Sequence, residues 1–288
     1  MTTRDEILDI PVDGQHIAGT LLIPDEVGSA VPGVLFVHGW GGSQEQYLAR
    51  ARALADRGCA CLTFDLRGHA KTQPQHETVS RGDNLRDLLA AYDVLAGQRR
   101  VDAAAIAVVG SSYGGYLGAI LTSLRAVRWL ALRAPALYKD GDWESPKRQL
   151  HHDPDLAAYR RRAVRPEDNR ALCACEAFRG DVLLVESEHD HVVPHPVIAN
   201  YQAACLQARS LTYRVIPGAD HGLAEELWRS AYTSILVNWL TEMVAGAKET
   251  TPRQVRALPT FNRGSLCFDP VRSSRLRSAA LTTKGENP

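Results

Sequence analysis

The chain has 288 residues, 33 Lys and Arg against 33 Asp and Glu, and 45% hydrophobic residues. A chain of this length covers most of its apolar surface without disulfides or a structural metal, and zero net charge removes the simplest electrostatic reason to bind nucleic acid or an anionic membrane. No run approaches the roughly 18 to 20 apolar residues that span a bilayer, and Met1-Thr-Thr-Arg-Asp-Glu6 leads into no apolar segment of a secretory signal. The six cysteines, which include Cys59-Ala-Cys61 and Cys173-Ala-Cys175, show no C-x2-C spacing and are expected as packing residues in a cytoplasmic protein.

Taken in chain order, strand-like apolar runs fall at 17–23, 33–38, 59–65, 106–110, 128–133, 182–186 and 211–216. The first alternates loosely; the others are nearly continuous, as when both faces of a strand are covered. Between them, residues 44–57, 83–97, 113–124, 196–208 and 224–244 carry apolar residues at three- and four-residue spacing. This βα alternation predicts an α/β fold with a mostly parallel twisted sheet and helices on both faces. Residues 138–178 hold no strand-like run and exceed a normal crossover in length, so a short helical lid insertion is expected there. The main domain is expected over 1–248. Residues 249–288, with seven basic and three acidic residues and no sustained periodicity, read as a disordered basic tail.

The strand 106–110 runs straight into Gly110-Ser-Ser112-Tyr-Gly114, a G-x-S-x-G pattern that opens a helix. A sharp strand-to-helix turn pushes the serine hydroxyl out of the sheet, and glycines two before and two after it leave room for the tightly turned backbone. Ser111 lacks glycines at those offsets. With this elbow in place, the sequence resembles the α/β-hydrolase superfamily, and four further segments fall in that family's order. His38-Gly-Trp40-Gly-Gly42 is similar to its oxyanion loop, Asp65-Leu-Arg-Gly-His69 to a segment ending its next strand, Glu186-Ser-Glu-His-Asp190 to its acid loop and Gly218-Ala-Asp-His221 to its histidine loop.

The resemblance implies a triad of Ser112, Asp190 and His221. Each role has its own chemical need: a serine hydroxyl is a weak nucleophile until an imidazole takes its proton, and the imidazole needs a carboxylate to fix its tautomer. Asp220, Glu186 and Glu188 are weaker candidates for the acid, and His38 is expected to shape its loop rather than act as base. The backbone N–H groups of Trp40 and Tyr113 are the expected oxyanion donors. Trp40, Tyr116, Tyr138 and Trp143 fall where loops would overhang the serine and are expected to meet substrate, with core packing as the other reading.

No metal and no cofactor is expected. His189, His191 and His195, and His151-His152-Asp153, match no zinc spacing. Arg160-Arg161-Arg162 reads as a solvated face, with contact to an anionic substrate group as the alternative. The expected function is serine hydrolysis of a small carboxylic ester through an acyl-enzyme, with no nucleic-acid or membrane partner. The resemblance is strongest to the dienelactone-hydrolase-like and prolyl-oligopeptidase-like branch, from which the chain departs in having Ser rather than Cys as nucleophile and no propeller domain. The alternatives are a serine aminopeptidase, acyl-peptide or thioester hydrolase and, in another class, a catalytically silent interaction protein of the same fold.

Overall fold

The computed structural model describes residues 2–25 and 29–249. Eight strands, β1 (Thr3–Val12), β2 (Gln15–Pro24), β3 (Val31–Val37), β4 (Ala60–Phe64), β5 (Val101–Ser111), β6 (Trp129–Arg133), β7 (Asp181–Ser187) and β8 (Ser210–Ile216), form one sheet. The order is β1-β2-β4-β3-β5-β6-β7-β8. From β4 to β8 all neighbours are parallel, and an antiparallel β1–β2 hairpin joins through β2. All seven apolar runs coincide with strands. β1 is the addition: only Ile10 and Val12 of its ten residues are buried, so an edge strand full of charge gives no apolar run to read. Its turn to β2 is Asp13-Gly14, both at positive φ (50° and 72°), the backbone that a tight hairpin turn demands.

The helices are α1 (Glu45–Ala55), α2 (Arg81–Ala96), α3 (Tyr113–Leu121), α4 (Leu156–Tyr159), α5 (Arg170–Ala177), α6 (His195–Ala204) and α7 (Glu226–Glu249). Side chains alternate across each strand, so β3 sends Val34 and Phe36 into one apolar core and Leu35 and Val37 into another. The first core packs under α1 and α7; the second packs under α2, α3, α5 and α6.

Residues 138–178 divide into two parts. α5 buries Ala171, Leu172 and Cys175 in the core and serves as the crossover helix between parallel β6 and β7. The part before it folds over the start of α2, where Lys147 N–H donates to Val79 C=O (2.8 Å) and Gly82 N–H to Trp143 C=O (3.2 Å). Asn169 ties that part down: its amide donates to Tyr138 C=O at 2.8 Å, and its oxygen caps α5. Cys61, Cys175 and Cys205 are buried free thiols and Cys59 is buried; the expected tail, Cys267 included, lies outside the described residues. No described helix is long and apolar enough to cross a membrane.

Candidate active site

Ser112 sits between β5 and α3 at φ 51°, ψ −118°, a conformation that L residues rarely adopt. Three main-chain hydrogen bonds hold it there: its N–H donates to Arg133 C=O (2.9 Å), and its C=O accepts from Tyr116 and Ala136 (both 3.0 Å). The flanking glycines are steric necessities. A Cβ on Gly110 would lie 2.5 Å from Gly114 C=O, and one on Gly114 would lie 2.3 Å from Val37 C=O. At the far side of the same turn, Ser111 points away, its Oγ accepting from Arg133 Nε at 3.3 Å.

The C-terminal ends of β7 and β8 bring the other two residues to this elbow. Ser112 Oγ lies 2.9 Å from His221 Nε2, and His221 Nδ1 lies 2.6 Å from Asp190 Oδ2. The other Asp190 oxygen accepts the N–H groups of Val192 (2.9 Å) and Val193 (2.7 Å). Burial opposes ionisation of Asp190, yet the hydrogen bonds from His221, Val193 and Val192 outweigh it and hold the carboxyl below its ordinary range. An ionised carboxylate only accepts, so Nδ1 carries the ring proton and Nε2 is left to take one from Ser112. The weaker candidates are engaged elsewhere: Asp220 accepts from Ala224 N–H (3.1 Å), Glu186 meets His195 (3.0 Å) and Glu188 accepts from Gly218 N–H (2.6 Å).

His38 shapes the loop 38–42. Its Nε2 accepts from Leu66 N–H (3.0 Å), so Nδ1 donates to Gly39 C=O (2.8 Å), and burial lowers its pKa to about 4. The loop passes hard against Ser112: a Cβ on Gly39 would lie 3.3 Å from Ser112 Cβ. Trp40 follows, half-buried, its ring edge-on to Tyr113 at 5.4 Å. Tyr113 is the first residue of α3, where a helix leaves its N–H groups without partners of its own.

The expected substrate-facing aromatics separate. Trp40 packs half-buried against Tyr113, the residue after Ser112, whereas Tyr116 (0% exposed), Tyr138 (3%) and Trp143 (8%) form a buried ring cluster, with Tyr116 5.2 Å from Tyr138 and 6.2 Å from Trp143. Packing occupies those three rings, and that part of the expectation is revised. Chain proximity to a serine does not say which way a ring faces.

Lys147 was not anticipated. It is 1% exposed, its Nζ donates to Asn84 Oδ1 (3.0 Å) and lies 3.3 Å from His69 Nε2, and it sits over the rings of Trp40 (4.9 Å) and Tyr113 (5.1 Å). Burial drives its pKa down to about 7. His69 is held at about 3 by burial first, then by Lys147 and His38. Nothing in a sequence distinguishes such a lysine from a solvated one. Arg133 was also missed: buried at the end of β6, it donates from Nη1 to His221 C=O at 2.9 Å. Among the described residues, no three His, Cys, Asp or Glu side chains converge as metal ligands.

A model of the alpha/beta hydrolase family matches residues 34–230, which include Ser112, Asp190 and His221. The chain belongs to the alpha/beta hydrolase family. An uncharacterized protein of Mycobacterium tuberculosis is 26% identical over 243 residues, covering 83% of this chain and 79% of that protein. Among solved structures, Est1E of Butyrivibrio proteoclasticus, determined with ferulic acid bound, superposes with a TM-score of 0.65 at 18% identity, over 83% of this chain and 99% of that one. A dienelactone hydrolase of Anabaena variabilis gives 0.60 at 21% identity, over 83% and 98%. An acylaminoacyl peptidase of Pyrococcus horikoshii gives 0.63 at 15%, over 83% of this chain but 41% of that one. These structural likenesses speak to the shared hydrolase fold.

Proposed function

We propose that this alpha/beta hydrolase cleaves a small carboxylic ester through an acyl-enzyme formed on Ser112. The observation that carries the reading is the continuous hydrogen-bonded line from Ser112 Oγ through His221 to Asp190. In the first half-reaction Oγ attacks the ester carbonyl carbon while its proton passes to His221 Nε2. Asp190 stabilises the imidazolium, and the N–H groups of Trp40 and Tyr113 meet the oxyanion. Collapse breaks the bond to the alkoxy oxygen, which leaves as the alcohol with the proton from His221. Water then repeats the sequence on the acyl group, releasing the acid and restoring Ser112.

A 440 Å³ cavity between the acid loop and the insertion is lined by Asp190, Leu156, Ala157, Val192, Arg160 and Arg161 but by neither Ser112 nor His221, so it does not bound the size of the ester. The ester reading is preferred over a peptidase one because the acylaminoacyl peptidase carries more than half its length beyond the matched part, and it agrees with the esterase-like neighbour holding ferulic acid. Hydrolysis of short- and long-chain p-nitrophenyl esters tests it. Ser112→Ala is expected to lower kcat/KM by about 10⁴ or more, and a fluorophosphonate is expected to label Ser112 in the wild type. Equal turnover by the two proteins, or an unlabelled Ser112, overturns the reading.

A further inference from the structure

On the other side of the histidine loop from the insertion, α1, α7 and the ends of β5 and β6 enclose a second cavity of 330 Å³. Three arginines line it, Arg50, Arg133 and Arg229, and no acidic side chain does. Arg229 forms an ion pair with Glu226 (2.9 Å), which stands outside the cavity lining; among the described residues neither Arg50 nor Arg133 forms one. Tyr232 lies between them, with the Arg50 guanidinium 4.9 Å and the Arg133 guanidinium 5.8 Å from its ring centre.

Two buried polar atoms of this cavity have no hydrogen-bond partner: Nε of Arg50 and the hydroxyl of Tyr232, a side chain 98% withdrawn from solvent. The Ser111 side chain interacts with that hydroxyl without closing a hydrogen bond of normal geometry. Buried donors without acceptors cost free energy, and gathered cations without a counter-charge cost more. Both costs are offset by the same thing, an acceptor carrying negative charge. Guanidinium forks suit the oxygens of phosphate and carboxylate, and a tyrosine hydroxyl adds a donor.

We propose that this cavity binds a small oxyanion of the phosphate, sulfate or carboxylate class, and that Arg133 links its occupancy to the histidine loop. The link is physical: the guanidinium at the floor of the cavity is the one that donates to His221 C=O. The anion is either free in solution or a group carried by the substrate of the ester-hydrolase reading.

Calorimetric titration with sodium phosphate at matched ionic strength tests the site without turnover, using the wild type, Ser112→Ala and Arg50→Met/Arg229→Met. The methionines keep the apolar stems, and both positions lie at the wall and rim rather than in the core. Saturable binding is expected in the wild type, unchanged in Ser112→Ala and weakened at least about tenfold in the double variant. The absence of saturable phosphate binding overturns the site, as does binding that the double variant leaves unchanged. A second arm, which alone rests on the ester-hydrolase reading, follows p-nitrophenyl ester hydrolysis with added phosphate. A rise in KM alone assigns the anion to the substrate, and a change in kcat at saturating ester assigns it to a separate effector. Binding with no effect on either constant overturns the link through Arg133.

Discussion

On the insertion side of Ser112, buried cations are closed by acceptors. Arg67 meets Asp87 (2.5 Å) and Asp13 (2.8 Å), Lys147 donates to Asn84, and Arg81 donates to the carbonyls of Lys139 and Gly141. Asn84 completes the set by accepting from Tyr113 Oη (3.2 Å) and donating to Asp87 (3.1 Å). On the α1 and α7 side, Arg133 donates to Ser111 Oγ, Ser187 Oγ and His221 C=O and Arg50 to Gln46 C=O, but among the described residues neither meets a carboxylate, Arg50 Nε has no acceptor, and both approach one tyrosine ring. The residue types are similar; the satisfaction differs. A closed network fixes geometry, here beneath Trp40 and Tyr113, whereas an open one stores a cost that only an added group relieves.

The sharpest way to break this contrast is Asp87→Ala. Arg67 and Asp87 are both nearly excluded from solvent, and removing one partner of a buried pair costs about 3–5 kcal/mol. Urea denaturation should register that loss; a change below about 1 kcal/mol would mean that the insertion side is not the scaffold described. The next effect is a dependence on pH. The Lys147 pKa falls from 10.5 to about 7 on folding, so between those values the unfolded chain holds a proton that the folded one has released. Stability therefore climbs as pH rises through that window. For His38, with a folded value of about 4 against 6.5, stability is lost as pH falls from 6.5 towards 4. Lys147→Met should flatten the upper climb and, because Lys147 also helps hold down His38 and His69, weaken the lower one without removing it; an identical upper profile in a folded Lys147→Met would contradict the assignment. The smallest effect belongs to the open side. Arg50→Met should shift the denaturation midpoint by no more than about 0.5 kcal/mol, and a loss several times larger would show that Arg50 is structural.

The elbow was legible because it is written in local spacing: Gly110 and Gly114 around Ser112 are required by contacts within the turn and with Val37; the segments that carry Asp190 and His221 were reached through the family resemblance. Seven strands were legible because a strand covered on both faces is a continuous apolar run. β1 was not, since one exposed edge leaves Thr3-Arg-Asp-Glu6 free to be polar. Burial of charge is invisible by nature. Lys147 and Arg133 are determined by what α2, the insertion and α7 place around them, long-range facts that no window of sequence contains. Tyr116, Tyr138 and Trp143 failed for the related reason that facing direction depends on a neighbouring element, here Arg81 and Arg170 stacked on the Trp143 ring at 4.9 and 4.6 Å.

The backbone at position 112 is gripped by partners from β6, α3 and the segment after β6, none of which touches the hydroxyl. The turn is thus a socket whose shape is independent of its contents. Exchange of one oxygen there alters reactivity while the mould around it stays as cast, and a silent alanine variant reports on chemistry rather than on architecture.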